Sequence, residues 1–181
     1  LEGDVAAIPG LLKALTTEEL ADNRRQVAVA LGRQKDQRAR GALLAALAEE
    51  AVAAVRLAAV ESLGALQDAH WVRGTAYALG DADEAVRAKA DSLFSGLRAS
   101  DLPVMLEALR WDRLRGVLGG ARGQTVCGRI ADVLAALKSP DTAECFIQVL
   151  DVAVGATDKP RHPAVVERVV GELVNLGQAA I

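Results

Sequence analysis

The sequence predicts an all-α protein, an α-solenoid of about five helical hairpins, on three observations. Aspartate-led blocks recur at a step of 32 residues, each block carries two apolar stripes at helical spacing, and the apolar content, 51% of 181 residues, holds only 3% aromatics. Self-similarity at such a period marks repeat architectures, in which one supersecondary unit is stacked many times. The alanines and leucines that supply most of the apolar surface favour helix and allow close helix-on-helix contact.

The first helices come from "DVAAIPGLLKAL" at Asp4, "DQRARGALLAAL" at Asp36 and "DAHWVRGTAYAL" at Asp68, which end in Leu15, Leu47 and Leu79. Ile8, Leu11, Leu12 and Leu15 form one face of the first, and Val72, Ala76 and Leu79 one face of the third, while Arg40 interrupts the second. The spacing predicts amphipathic helices with the aspartate as N-cap. Acidic turns follow, "TTEELADNRR", "AEEAVAAVR" and "GDADEAVR", which place negative charge at the positive end of the next helix dipole. Thr16 and Glu19 also have the spacing of a capping box.

The second helices are "NRRQVAVALG", "VRLAAVESLGAL" and "VRAKADSLFSGL". Val55, Ala59, Leu63 and Leu66 share a face, matched by Val86, Ala90, Phe94 and Leu97. A fourth unit from Asp101 supplies Val126, Ile130, Leu134 and Leu137, and a fifth from Asp141 supplies Val165, Val169, Leu173 and Leu176. Residues 1–181 thus read as one repeat domain with units starting near 4, 36, 68, 101 and 141. Gly32, Gly64, Ala59 and Ala90 fall where helices must approach closely. The "QAAI" at 178–181 copies the "VAAI" at 5–8, so the chain is expected to be a segment of a longer repeat protein, with Leu1 and Glu2 a cloning remnant. A row cut in mid-repeat exposes apolar ends, which predicts end-to-end self-association.

The alternation "D..AIPGLL.AL" then "VR..A..SLG.L" resembles the short bacterial HEAT repeats, including the phycobilisome-lyase-like repeats, closely over 4–100 and loosely beyond. The resemblance implies a right-handed superhelix with the second helices lining its concave side. It implies an interaction scaffold for most members, and bilin attachment, enzyme maturation or alkyl-base DNA glycosylase activity for minorities. A fold does not choose among these.

Composition narrows the classes. A net charge of −3 offers no global attraction for nucleic acid, and Glu61, Asp91, Asp132 and Glu167 on the second helices oppose a basic concavity. No apolar run reaches the length of a membrane helix and no signal peptide opens the chain, so the sequence reads as cytoplasmic. Cys127 and Cys145 are expected as reduced core thiols. His70 and His162 are isolated, with no second ligand at helical spacing, so no zinc site, catalytic set or cofactor is predicted.

Two sets of residues stand out. Arg24, Arg56 and Arg87 occupy one repeat position, expected to form a structural ladder with acidic residues among Asp22, Glu50, Asp81 and Asp83; Cys127 and Val166 end the column. The second is "RWDRLRGVLGGARGQ", residues 110–124, which lengthens unit four and reads as a Gly-rich inter-helix loop. Its Arg110, Arg113, Arg115 and Arg122, beside Trp111 and a lone Asp112, make a basic island suited to an acidic or phosphorylated peptide, or to another protein. It lacks the Gly-Lys-Ser/Thr of a P-loop. Trp111 is a candidate anchor, Trp71 a packing residue, and "DKPRHP" at 158–163 a loop. The function expected is a non-catalytic protein-interaction scaffold using the concave face and the basic insertion. The alternatives are a nucleic-acid binder of the DNA-repair type and a chromophore lyase or enzyme-maturation factor.

Overall fold

A computed structural model describes residues 5–66, 71–155 and 160–179, and the described residues are helical with no strand. The chain divides into two compact units, Leu1–Leu93 and Phe94–Ile181.

The first unit holds α1 (Ile8–Thr17), α2 (Ala21–Gln34), α3 (Ala39–Glu49), α4 (Ala53–Ala65), α5 (Trp71–Ala78) and α6 (Glu84–Phe94). Consecutive helices pair, α1 with α2 and α3 with α4, while α1 lies on α3 and α2 on α4. The apolar stripes are what these contacts bury: Ile8, Leu15, Leu43, Leu47, Val55, Ala59, Leu63, Val72 and Ala76 are all inaccessible. Each large side chain so buried contributes on the order of 1.5–3 kcal/mol, which a lone hairpin with one open face does not collect. Arg40, which breaks the third helix's stripe in the sequence, is tolerated because Ala39, Leu43 and Leu47 suffice to form its buried face.

The contact of α2 with α4 depends on small residues. A Cβ at Gly32 would lie 2.5 Å from Ser62 Oγ and 2.8 Å from Ser62 Cα, and one at Gly64 would lie 2.9 Å from Leu93 Cδ1. Ser62 Oγ uses the close approach to donate a 2.8 Å hydrogen bond to the Ala28 carbonyl across the two helices. A buried hydroxyl needs such a partner, and the helical carbonyl is the one in reach.

The second unit holds α7 (Leu102–Leu109), α8 (Asp112–Leu118), α9 (Gly123–Ala136), α10 (Ala143–Val154) and α11 (Pro163–Ala179). Helix α10 packs on α7, α9 and α11, and α11 also meets α9. Met105, Leu109, Ile130, Leu134, Phe146, Val149 and Val169 form the buried centre. Leu137, Leu173 and Leu176, predicted on the same stripe, are only half-buried.

The helix starts differ from the sequence reading. The predicted N-cap aspartates that are described do not cap α-helices with their side chains. Asp36 Oδ1 accepts 2.8 Å from the Arg38 backbone N–H two residues on, and α3 begins only at Ala39. Asp101 Oδ2 accepts from Arg98 N–H at 2.9 Å, and Asp141 sits inside a 3-10 turn capped by Ser139. The carboxylates secure lead-in turns, and the α-helix proper starts one to three residues later; Asp4 and Asp68 lie outside the described residues. The capping box at Thr16 and Glu19 does not form either. Thr16 is in the last turn of α1, where its Oγ1 donates to the Lys13 carbonyl, and α2 starts after Leu20.

Candidate functional site

The stretch expected to be a Gly-rich loop contains a helix. Leu114 and Leu118, four residues apart, are both fully buried and give α8 one apolar edge; the glycines fall outside that edge or beyond the helix end. Gly116 is exposed with open space where a side chain would be, so it weakens the helix by propensity without obstructing it. Burial of the two leucines outweighs that weakness.

What holds α8 down is a pair of residues that sequence reasoning did not select. His162, buried just ahead of α11, places Nε2 2.9 Å from the Leu118 carbonyl at the end of α8. Its own backbone is fixed by N–H to the Ala153 carbonyl at 2.9 Å. Gly123 opens α9 beneath the same carbonyl, and a Cβ there would run into Leu118 O and His162 Nε2. Cys127 Sγ also reaches Leu118 O, at 3.9 Å. Isolated in sequence, His162 is a fastener: it satisfies a helix-terminal carbonyl that would otherwise be buried without a donor. No signal in the sequence pairs it with a residue 44 positions away. His70 lies outside the described residues.

On the outer side, the arginines occupy defined places. Arg110 follows α7 and pairs with Glu144 at 2.9 Å, and Arg115 on α8 pairs with Asp151 at 2.7 Å, so both lean on α10. Their side chains stay 55% and 37% exposed, respectively, and exposed pairs are worth about 0–1 kcal/mol each, little enough for a competing anion to displace. Arg113 is exposed on α8, and Arg122 is exposed at the N-cap of α9. Trp111, the N-cap of α8, is half-buried rather than a projecting anchor. Beside Glu144 an open groove of about 610 Å³ runs between Leu102, Pro103 and Leu106 on one wall and Pro140, Asp141 and Glu144 on the other.

The arginine column in the first unit has a repeated geometry. Arg24 Nε and Nη2 donate to Glu50 at 2.7 and 3.0 Å, while Nη1 donates to the carbonyls of Glu18 and Glu19. Arg56 holds Asp81 at 2.8 Å twice and the carbonyls of Glu50 and Ala51. Arg87 Nη1 donates to the carbonyls of Asp81 and Ala82 at 2.8 Å. Each guanidinium thus binds the turn before its own helix, and the first two also reach the acid of the following turn, an arrangement that only the planar fork of arginine provides. Hydrogen bonds from Arg24 hold the Glu50 carboxyl below its ordinary range. Burial pushes the Asp81 carboxyl up, but the bonds from Arg56 and the Asp83 N–H and the nearby guanidinium charges outweigh it and hold it low. With its donors committed to protein acceptors, this column offers little to a ligand.

Chemistry finds no centre among the described residues. No group of His, Cys, Asp and Glu there could hold a metal ion. Cys127 and Cys145 are free and buried, and burial pushes their thiols up to about 12 and about 11, so neither is a thiolate at neutral pH. Trp71 starts α5, half-buried. No described helix is long and apolar enough to cross a membrane. On the second helices the acidic residues meet partners, Glu61 with Lys89 at 3.1 Å and Asp132 with Arg168. No family model and no curated protein matches the chain.

Proposed function

We propose that the chain is a HEAT-like α-solenoid segment acting as a non-catalytic interaction scaffold in the cytoplasm, and that the surface of α8 with its flanks binds an acidic or phosphorylated segment of another protein. The observation that carries this reading is the ordered presentation of Arg110, Arg113, Arg115 and Arg122 along one helical segment, anchored from below by Leu114, Leu118 and His162. Pre-organised arginines lose less side-chain entropy on binding a carboxylate or phosphate than arginines on a slack loop would. The groove beside Glu144 supplies an apolar wall for a neighbouring side chain of the same peptide.

A nucleic-acid reading fits less well, because Glu61–Lys89 and Asp132–Arg168 balance charge along the second helices instead of making a basic track. Chromophore attachment and enzyme maturation rest on the repeat resemblance alone. The test is capture of partners from the source organism's lysate by the parent chain and by an Arg113→Glu, Arg115→Glu, Arg122→Glu variant. A partner held by the parent and released by the variant supports the α8 surface. A partner held equally by both moves the site elsewhere, and a spectral change on mixing with free bilin would favour the lyase reading.

A further inference from the structure

The second helices repeat an interface that α11 leaves uncovered. On α2, Ala28 and Gly32 face α4: both are buried, Ser62 Oγ bonds to the Ala28 carbonyl, and Gly32 meets Ser62. The same positions on α4 are Val60, which is 0% exposed, and Gly64, which faces Leu93 of α6. On α9 the match to Val60 is Ala131, 0% exposed in a helix that packs on α11. On α11 the matching residues are Val170 and Val174, and they are 45% and 52% exposed. An interface that is closed on three helices is open on the fourth, with its two largest apolar side chains in water.

What covers this face follows from three further facts. The opposite end of the row does not complement it: the residues of α4 that seat on α2 are Ala58 and Ser62, whereas their matches on α2 are the exposed Gln26 and the half-exposed Ala30, with exposed Arg33 one turn further on. That end is polar in the manner of a capping repeat, so apolar α11 gains little by docking on it. Next, a Cβ alone is too close at Gly32 or Gly64, so Val174 does not admit a helix stacked as tightly as α4 on α2. Finally, the exposed stripe of α11 reads Pro163, Glu167, Val170, Gly171, Val174 and Gly177 at helical spacing. Laid antiparallel on itself with Val170 opposite Val174, it sets Glu167 opposite Gly177 and brings no like charges together.

We infer that the Val170–Val174 face of α11 is the contact surface of a homodimer, in which a second copy of this chain presents the same face about a twofold axis. The contact is isologous, with Gly171 close to the axis, where its missing side chain lets the helices approach. One helix face per copy lies below the size of a standard stable interface, so the dimer is weak and forms in a concentration-dependent way. This proposal is independent of the α8 surface.

Sedimentation velocity of the full chain over a range of concentrations tests it. The expected result is a reversible monomer–dimer equilibrium, with Val170→Glu and Val174→Glu each raising the dimer dissociation constant at least about tenfold. These side chains are exposed, so circular dichroism of the variants should match the parent. A Gln26→Glu, Arg33→Glu variant should dimerise as the parent does. Gly171→Cys should cross-link to itself under mild oxidation, because a twofold contact brings the two cysteines within disulfide reach. A chain that stays monomeric into the millimolar range overturns the proposal. So does a dimer lost in the Gln26 and Arg33 variant but kept in the valine variants, which would mean end-to-end association.

Discussion

Replacing Gly32 with alanine should destabilise the first unit, although alanine is the better helix former. In an unobstructed helix interior the change gains about 1 kcal/mol. At Gly32 the new methyl would sit 2.5 Å from Ser62 Oγ, 2.6 Å from Ser62 Cβ and 2.8 Å from Ser62 Cα. The last of these is backbone, so rotating a side chain does not relieve it and α2 and α4 must separate. Overpacking of this kind costs about 1–3 kcal/mol. Separation also stretches the 2.8 Å bond from Ser62 to the Ala28 carbonyl, a further loss of about 0.5–1.5 kcal/mol. The net expectation is a destabilisation of about 1–3 kcal/mol, which at a urea slope of about 2 kcal/mol/M lowers the midpoint by about 0.5–1.5 M. Gly128→Ala, in α9, is the control: nothing lies within 4 Å of the added carbon, so stability should rise by about 0.5–1 kcal/mol. Urea titration followed by helical circular dichroism reads both. If Gly32→Ala were as stable as the parent, the tight α2–α4 contact would be refuted.

The other predictions use different probes. Arg56→Met should cost about 2–4 kcal/mol, because it leaves the nearly buried Asp81 carboxylate without its bidentate partner, and Arg56→Lys should recover only part of that in the same titration. Glu50 and Asp81 both ionise below their unfolded values of 4.5 and 3.8, so the unfolded chain binds more protons in that range. Their contribution is whole above those values and drains away as pH falls through the lower folded ones; Glu50→Gln and Asp81→Asn should flatten the loss of stability between about pH 5 and 3. His162→Ala should destabilise the second unit by about 1–3 kcal/mol and raise hydrogen exchange in α8 more than in α10, whereas equal effects on both would deny that His162 fastens α8. Both thiols should resist a thiol reagent at pH 8 until denaturant is added; prompt labelling of Cys127 would contradict its burial.

The repeat made most of the helical pairing legible. Val55, Ala59 and Leu63 lie on a buried face as their spacing requires, and Gly32 and Gly64 mark close approaches, because periodicity and side-chain size are local properties that a sequence displays directly. The helix starts were less legible, since an aspartate satisfies a lead-in turn as readily as a helix N-terminus: Asp36 bonds to Arg38 N–H in a turn, with α3 still to begin. The segment at 110–124 was misread as a loop for a related reason. Its glycines dominate the composition, while the two leucines that make α8 are only a minimal pattern, and the third determinant, His162, comes from another part of the chain. The partial neutralisation of the basic island by Glu144 and Asp151 on α10 was equally out of reach, because those pairs span more than thirty residues.

The central claim is that α8 presents a ready-made surface for an acidic segment, and Trp111 at its N-cap allows a direct measurement. In a Trp71→Phe background the remaining fluorescence reports on α8 alone. Titration with a glutamate-rich peptide and with its phosphoserine counterpart should change that fluorescence saturably, with an affinity that weakens as salt rises. The Arg113→Glu, Arg115→Glu, Arg122→Glu variant, still folded by circular dichroism, should lose the response. A response equal in parent and variant, or none with either peptide, would contradict the claim.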